Sequence, residues 1–194
     1  MNLPNQLTVA RFFLTIVFVA ALSSEWRFGY TVGLVVFIAA GVTDYFDGAI
    51  ARQRNLVTDF GKLMDPLADK IMIAAAFICL VPLHAFPAWA AIVIISREFL
   101  ITGLRLLAAS KGVVLPSERL GKHKTAWQIV TVIYFLLLLA LAEGEVAGVI
   151  PPAWLTLWPR AWLYGHALVA LTLALTLYSG FGYLWKHRAL IASA

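Results

Sequence analysis

Four aspartates lie between positions 44 and 69 of a chain that is otherwise largely apolar: Asp44 and Asp47 three residues apart, then Asp65 and Asp69 four apart. On a helix either spacing puts both members of a pair on one face. Two such helices side by side would bring four carboxylates together. Crowded carboxylates repel one another, and some take up protons unless cations neutralise them. Hard divalent metal ions, which prefer oxygen ligands, are the partners that suit this chemistry.

The elements that must carry these residues are membrane helices. The 194 residues are 62% hydrophobic with a mean hydropathy of +0.87, above the roughly 45–50% apolar share of soluble domains. An all-α integral membrane protein is expected, a single domain over residues 1–194, with room for six crossings at about 20 residues each. The six apolar segments are Leu7 to Leu22, Tyr30 to Asp47, Leu63 to Leu83, Trp89 to Ala109, Thr125 to Leu141 and Trp162 to Trp185. MNLPNQLTVARFF lacks a basic n-region and a cleavage site, so the first segment is expected to be retained, with Arg11 near its polar end or turned into the bundle. Six spans leave both termini on one side. That side collects Arg52, Arg54, Lys62, Lys111, Arg119, Lys122, Lys124, Lys186 and Arg188. The opposite loops hold Arg27 and Arg160 beside Glu25, Glu143 and Glu145. The positive-inside rule puts both termini and the aspartates toward the cytoplasm. Trp26, Trp89, Trp154, Trp158 and Trp162 then fall near the outer ends, as an aromatic belt requires.

Composition also excludes function classes. The net charge of +5 is explained by basic loops facing anionic lipid, and with no extramembrane basic or aromatic platform, no nucleic acid is expected as a partner. Cys79 is the only cysteine. An intrachain disulfide and a cysteine-based zinc site are therefore excluded. His84, His166 and His187 share no metal spacing, and His123 is expected to be a solvated loop residue.

Around the aspartates, Gly48 and Ala51 would let a backbone or a bulky polar ligand approach closely. Thr58 and Asp59 are candidate N-caps for the third helix. Pro66 leaves two placements open. A helix starting near Thr58 would carry Pro66 inside it, with a kink; alternatively Asp65 is itself the N-cap and Pro66 the first helical residue.

Read together, D-x-x-D-G-x-x-A-R, an eight-residue gap and G-x-x-x-D-x-x-x-D resemble the signature of the CDP-alcohol phosphotransferases. Every defined position is met: Asp44, Asp47, Gly48, Ala51, Arg52, Gly61, Asp65 and Asp69. The resemblance implies a six-helix membrane enzyme that attacks a CDP-linked lipid with an alcohol and releases CMP. It implies two divalent ions, Mg²⁺ with Mn²⁺ as the alternative, one held by Asp44, Asp47 and Asp65 and the other by Asp44, Asp65 and Asp69. It makes Asp69 the base that receives the proton of the attacking hydroxyl. It assigns Gly48, Arg52, Thr58 and Gly61 to CDP-diacylglycerol binding. NLPNQLTVAR is similar to the opening of the phosphatidylglycerophosphate synthase branch of that family, where Asn5 and Thr8 would line the cytidine end of the pocket; helix-end capping is the alternative for both.

The signature does not select the acceptor alcohol. Arg97 and Glu98 lie inside the fourth segment, where ionisable groups are costly and are functional candidates by default. Arg105 follows, then Arg119, Lys122 and Lys124. An acceptor bearing its own phosphate needs such a cluster. Glu98 and Arg105 are seven apart and share a face, whereas Arg97 is turned by roughly 80° from Arg105, so an internal Glu98–Arg105 ion pair is the structural alternative. Positive-inside loop charges are the alternative for Arg119, Lys122 and Lys124. S-R-E with the following L-R, and G-K-x-K-T, resemble the phosphatidylglycerophosphate synthases and imply sn-glycerol 3-phosphate as acceptor. That resemblance also implies a multi-pass protein of the bacterial inner membrane with its active site facing the cytoplasm, membrane lipids around it, and a homodimer as one available assembly. The competing functions are a sibling enzyme, such as a cardiolipin synthase or one using an inositol phosphate, and, from another class, a small cation transporter. The transporter would need its acids spread across the membrane depth; these cluster at one end.

Overall fold

Among the described residues, apolar runs punctuated by proline and glycine fold into six helices. In a computed structural model the described residues are 3–54, 59–113, 115, 119–146, 148 and 157–188, without the side chains of 3–8, 44–54, 59–63, 65, 66, 119, 120, 122, 145 and 146. The helices are α1 (Leu3–Ser23), α2 (Gly29–Arg54), α3 (Asp59–Leu80), α4 (Ala88–Ser110), α5 (Arg119–Val146) and α6 (Trp158–Lys186). The described residues contain no strand. Pro87, extended at φ −72° and ψ 132°, is the N-cap of α4, and a proline opens α6, positions where the missing N–H costs no helical bond. Gly112, at φ +74°, follows the C-cap of α4 in a conformation glycine adopts without strain.

The helices pack in the cyclic order α1, α2, α5, α6, α4, α3, and α3 also meets α5 across the middle. The core is aromatic. Phe18 of α1 packs on Phe37 of α2 at 5.8 Å, and Phe77 of α3 lies 4.7 Å from Phe86 in the α3–α4 turn. Phe86 continues edge-on to Phe135 of α5, which meets Trp162 of α6 at 5.9 Å. Trp162 is thus partly a core residue rather than a free belt residue. Trp26 and Trp89 are exposed and Trp158 is half-buried, while Trp154 lies outside the described residues. At Gly165 of α6 a Cβ would come within 2.9 Å of the Phe135 ring, so glycine is what lets α5 and α6 close on each other here.

Outward-facing positions are apolar too. Phe13, Ile16, Ile92, Leu163 and Phe181 are each at least 65% exposed. Helices apolar on both sides suit a nonpolar solvent rather than water. Two helices, His123–Gly144 and Trp158–Lys186, are long and apolar enough to cross a membrane, and Val9–Ser23 and Gly29–Thr43 are shorter apolar helical stretches.

Helix α5 is longer at both ends than the hydropathy of its centre predicts. Its last turns carry Glu143, which therefore is not a loop charge. The Glu143 carboxylate accepts hydrogen bonds from the backbone N–H groups of Tyr30 and Thr31 at 2.7 and 2.8 Å and from the Thr31 hydroxyl at 2.8 Å. A carboxylate there satisfies donors that the first turn of α2 leaves open and complements the helix dipole. Glu143→Ala should cost about 1–3 kcal/mol, read as a lower thermal unfolding midpoint of the detergent-solubilised protein.

Candidate active site

Asp44 and Asp47 lie on α2, and Asp65 and Asp69 on α3. Each helix runs without interruption through its pair, so each pair shares a face. Helix α3 begins at Asp59, ahead of Pro66. Asp65 is therefore inside the helix and not its N-cap, and Pro66 is an interior proline, which removes the bond its own N–H would have made one turn back and crowds the carbonyl there. Asp59 is the first helical residue, and Thr58 lies outside the described residues.

Asp69 is the one aspartate of the four whose side chain is described. It is half-buried and lines a cavity of about 380 Å³ between α1, α2, α3 and α5. Arg11, 3% exposed, lines the same cavity, so it turns into the bundle. Its turn of α1 is fixed by Thr15, whose hydroxyl donates to the Arg11 carbonyl at 2.9 Å and lies 3.5 Å from Met72 Sδ. From α2 the wall is built by Phe37, Ala40 and Gly41. Positions 44 and 47 continue that stripe at helical spacing, and on α3 position 65 continues the stripe of Asp69, Met72 and Ile73. Two helix faces bordering one cavity thus carry all four aspartate positions. A set of carboxylate donors fits hard divalent ions. The side chains of Asn5, Thr8, Asp44, Asp47, Arg52, Asp65, Arg119 and Lys122, and the surroundings of Gly48 and Gly61, lie outside the described residues.

A second polar cluster sits on the other side of α3. Glu98 of α4 accepts a hydrogen bond from the Lys124 ammonium of α5 through Oε1. The same oxygen accepts from Arg97 Nη1 at 3.2 Å, and Oε2 lies 3.5 Å from Lys70 Nζ of α3. Lys70 also reaches the Glu98 carbonyl at 3.5 Å. The other arm of Arg97 donates to Ser179 Oγ of α6 at 3.1 Å. Its stem lies against Gly180, where a Cβ would come within 3.0 Å of Arg97 Cγ. Lys124 is 2% exposed, so it is not a solvated loop charge. Its burial follows from α5 starting at Arg119, which places Lys124 in a helical turn facing α4.

The alternative pairing of Glu98 with Arg105 does not form. Among the described residues Arg105 donates from Nε to Tyr183 Oη at 3.2 Å and stacks its guanidinium 5.3 Å from that ring. Two turns separate Arg105 from Glu98 along α4, and α6 crosses nearer. Arg97, although rotated away from Arg105, reaches the cluster through Nη1 at the end of its long side chain. Lys70 is the group that sequence reasoning passed over. The signal was present: an ionisable residue in the apolar run ADKIMIAAAF, next to Asp69. His123 is exposed, and among the described residues no three His, Cys, Asp or Glu side chains outside the aspartate set gather as metal ligands.

The chain is similar to known proteins over most of its length. A family model described as CDP-alcohol phosphatidyltransferase matches residues 1–178. A Bacillus subtilis (strain 168) protein named CDP-diacylglycerol–glycerol-3-phosphate 3-phosphatidyltransferase is 45% identical over 148 residues, covering 70% of this chain and 77% of that one. A Rickettsia felis protein of the same name is 38% identical over 149 residues, 77% of this chain and 80% of its own. A Pseudomonas fluorescens protein of that name is 35% identical over 195 residues, 96% and 92% of the two chains. With the family match spanning all six helices as far as Tyr178, and the signature complete on α2 and α3, this chain belongs to the CDP-alcohol phosphatidyltransferase family.

Proposed function

We propose that the protein transfers the phosphatidyl group of CDP-diacylglycerol to sn-glycerol 3-phosphate, giving phosphatidylglycerol phosphate and CMP. The observation that carries this reading is the pair of aspartate-bearing helix faces bordering the cavity at Asp69, with a buried basic cluster on the far side of the same helix. The names of the relatives support it. The whole chain acts as one membrane domain. Its family is membrane-associated, and the apolar exterior supports six crossings of the bacterial inner membrane. The excess of Lys and Arg near the aspartate ends supports a cytoplasmic side for the site. Membrane lipid surrounds the bundle, and a homodimer is one available assembly.

Enzymes of this family use divalent metals. Here Asp44, Asp47 and Asp65 would hold one ion, and Asp44, Asp65 and Asp69 the other. Mg²⁺, which suits mixed carboxylate and phosphate ligation, is favoured over Mn²⁺. Bound there, such ions offset the negative charge of the diphosphate. The chain's own groups do the rest. Asp69 takes the proton of the acceptor's primary hydroxyl as its oxygen bonds to the phosphatidyl phosphorus, and the bond from that phosphorus to the CMP oxygen breaks. Arg52 forks onto a phosphate of the CDP-lipid, Thr58 offers a hydroxyl, and Gly48 and Gly61 leave room for it. Asn5 and Thr8 border the cytidine. Arg97 and Lys124 receive the acceptor's phosphate, with Arg105, Arg119 and Lys122 on the same two helices adding positive charge.

The test is CMP release by the purified protein in detergent with Mg²⁺, CDP-diacylglycerol and a panel of acceptors. Glycerol 3-phosphate should be the best acceptor, by tenfold or more over free glycerol, serine, inositol phosphate or phosphatidylglycerol. Preference for an unphosphorylated alcohol would remove Arg97 and Lys124 from acceptor binding. Metal flux into vesicles without CMP chemistry would point to the transporter instead.

A further inference from the structure

Glu98 is surrounded by more positive charge than it can neutralise. Lys70, Arg97 and Lys124 arrive from three helices, and all three contact one carboxylate. The side chains are shielded but not sealed: Lys70, Arg97 and Glu98 keep between 13% and 20% exposure. Among the described residues, three cations and one anion give this cluster a net charge of +2. A phosphate monoester carries about −1.5 to −2 at pH 7, which is the complement of that excess.

Resting on the glycerol 3-phosphate reading above, we propose that Glu98 is a positioning residue for the acceptor, the anion that holds Lys70, Arg97 and Lys124 together until a phosphate joins them, and that Lys70 ties this cluster to the helix of the base. Without Glu98 the three cations would repel at close range in a partly desolvated site, and nothing else described would keep Arg97 Nη1 and Lys124 Nζ at one point. Among the described residues the remaining anchors are Ser179 and the gap left by Gly180 for Arg97, and the Glu98 carbonyl, 3.5 Å away, for Lys70. Lys70 supplies the link in register. Asp69 and Lys70 are consecutive on α3 and about 100° apart around it. One turn of helix therefore presents the base to the cavity on one side and grips the acceptor cluster on the other. Fixing both on a single rigid element sets the distance between the acceptor's phosphate and the hydroxyl that must lose its proton.

The experiment is steady-state kinetics on the full-length protein in detergent, varying each substrate separately, for wild type, Glu98→Gln, Lys70→Met and Lys70→Arg. Glu98→Gln should raise the KM for glycerol 3-phosphate at least tenfold and leave the KM for CDP-diacylglycerol within twofold. Lys70→Met should raise the acceptor KM several-fold, and Lys70→Arg should restore most of it. An unchanged acceptor KM in Glu98→Gln would overturn the proposal. So would a lower one, which would make Glu98 a competitor of the phosphate, or an equal rise in both KM values, which would indicate general damage. If Glu98→Gln does not fold, the Lys70 pair decides: an acceptor KM in Lys70→Met equal to wild type overturns the proposal. Should wild type release CMP only with a different phosphorylated acceptor, the glycerol 3-phosphate reading fails, and the same split measured with that acceptor still tests Glu98 and Lys70.

Discussion

Replacing Asp69 with Asn is expected to lower turnover on the order of 10³-fold while leaving the helix bundle folded. Asn keeps the shape and volume of the side chain but cannot accept a proton at neutral pH and is a weaker donor to a hard cation. The fold should survive because Asp69 lines a cavity wall rather than the close-packed aromatic core. Two readouts separate the base role from a binding role. Turnover should collapse, and CDP-diacylglycerol binding, measured directly on the solubilised protein, should change far less, since the lipid's other contacts are retained. Turnover like wild type would remove Asp69 from proton transfer. Loss of lipid binding in proportion to turnover would make it a ligand-holding group only.

The second large effect is expected at Lys124. Replacing it with Met keeps the length and apolar stem but leaves Glu98 with Lys70 and Arg97 alone. Lys124 is the most buried of the three cations. A hydrogen bond to a charged group is worth about 1.5–3 kcal/mol, and Lys124→Met removes one such donor to the acceptor's phosphate while Lys70 and Arg97 stay on Glu98. At about 1.4 kcal/mol per tenfold, a loss near 3 kcal/mol in acceptor recognition lowers kcat/KM for glycerol 3-phosphate roughly a hundredfold. The CDP-diacylglycerol KM should move little. Lys124→Arg should recover only part of the loss, because a guanidinium does not fit a site shaped for a compact ammonium. The observation that would sink this is equal loss for phosphorylated and unphosphorylated acceptors.

Much of the architecture was legible along the chain because it is written in local terms. Hydropathy runs about the length of a membrane span located all six helices, five of them within four residues at one end or both and α5 short by six and five residues at its two ends. Their true ends were less legible because polar residues extend helices past the apolar run. Thus α5 begins at Arg119 and ends at Val146, which removes the loop-charge alternative for Lys124, a buried ion-pair partner, and turns Glu143 from an expected loop charge into a cap for another helix. Pro66 was ambiguous because proline is tolerated both at a helix start and, at a cost, inside one. Helix α3, which begins at Asp59, has the second.

The sequence by itself determined the helical class, the aspartate spacing that pairs Asp44 with Asp47 and Asp65 with Asp69, and the family resemblance those spacings carry. All of these depend on residues within a few turns of one another. Only the tertiary structure decided who meets Glu98. Its partners come from positions 28 residues before it and 26 after it as well as from its neighbour, and the anchor of Arg97 lies 82 residues on. Helical periodicity says which residues share a face of one helix, so it could offer Arg105. It carries no information on which neighbouring helix crosses that face, and that crossing is what gave Arg105 to Tyr183 and brought Lys70 and Lys124 to Glu98.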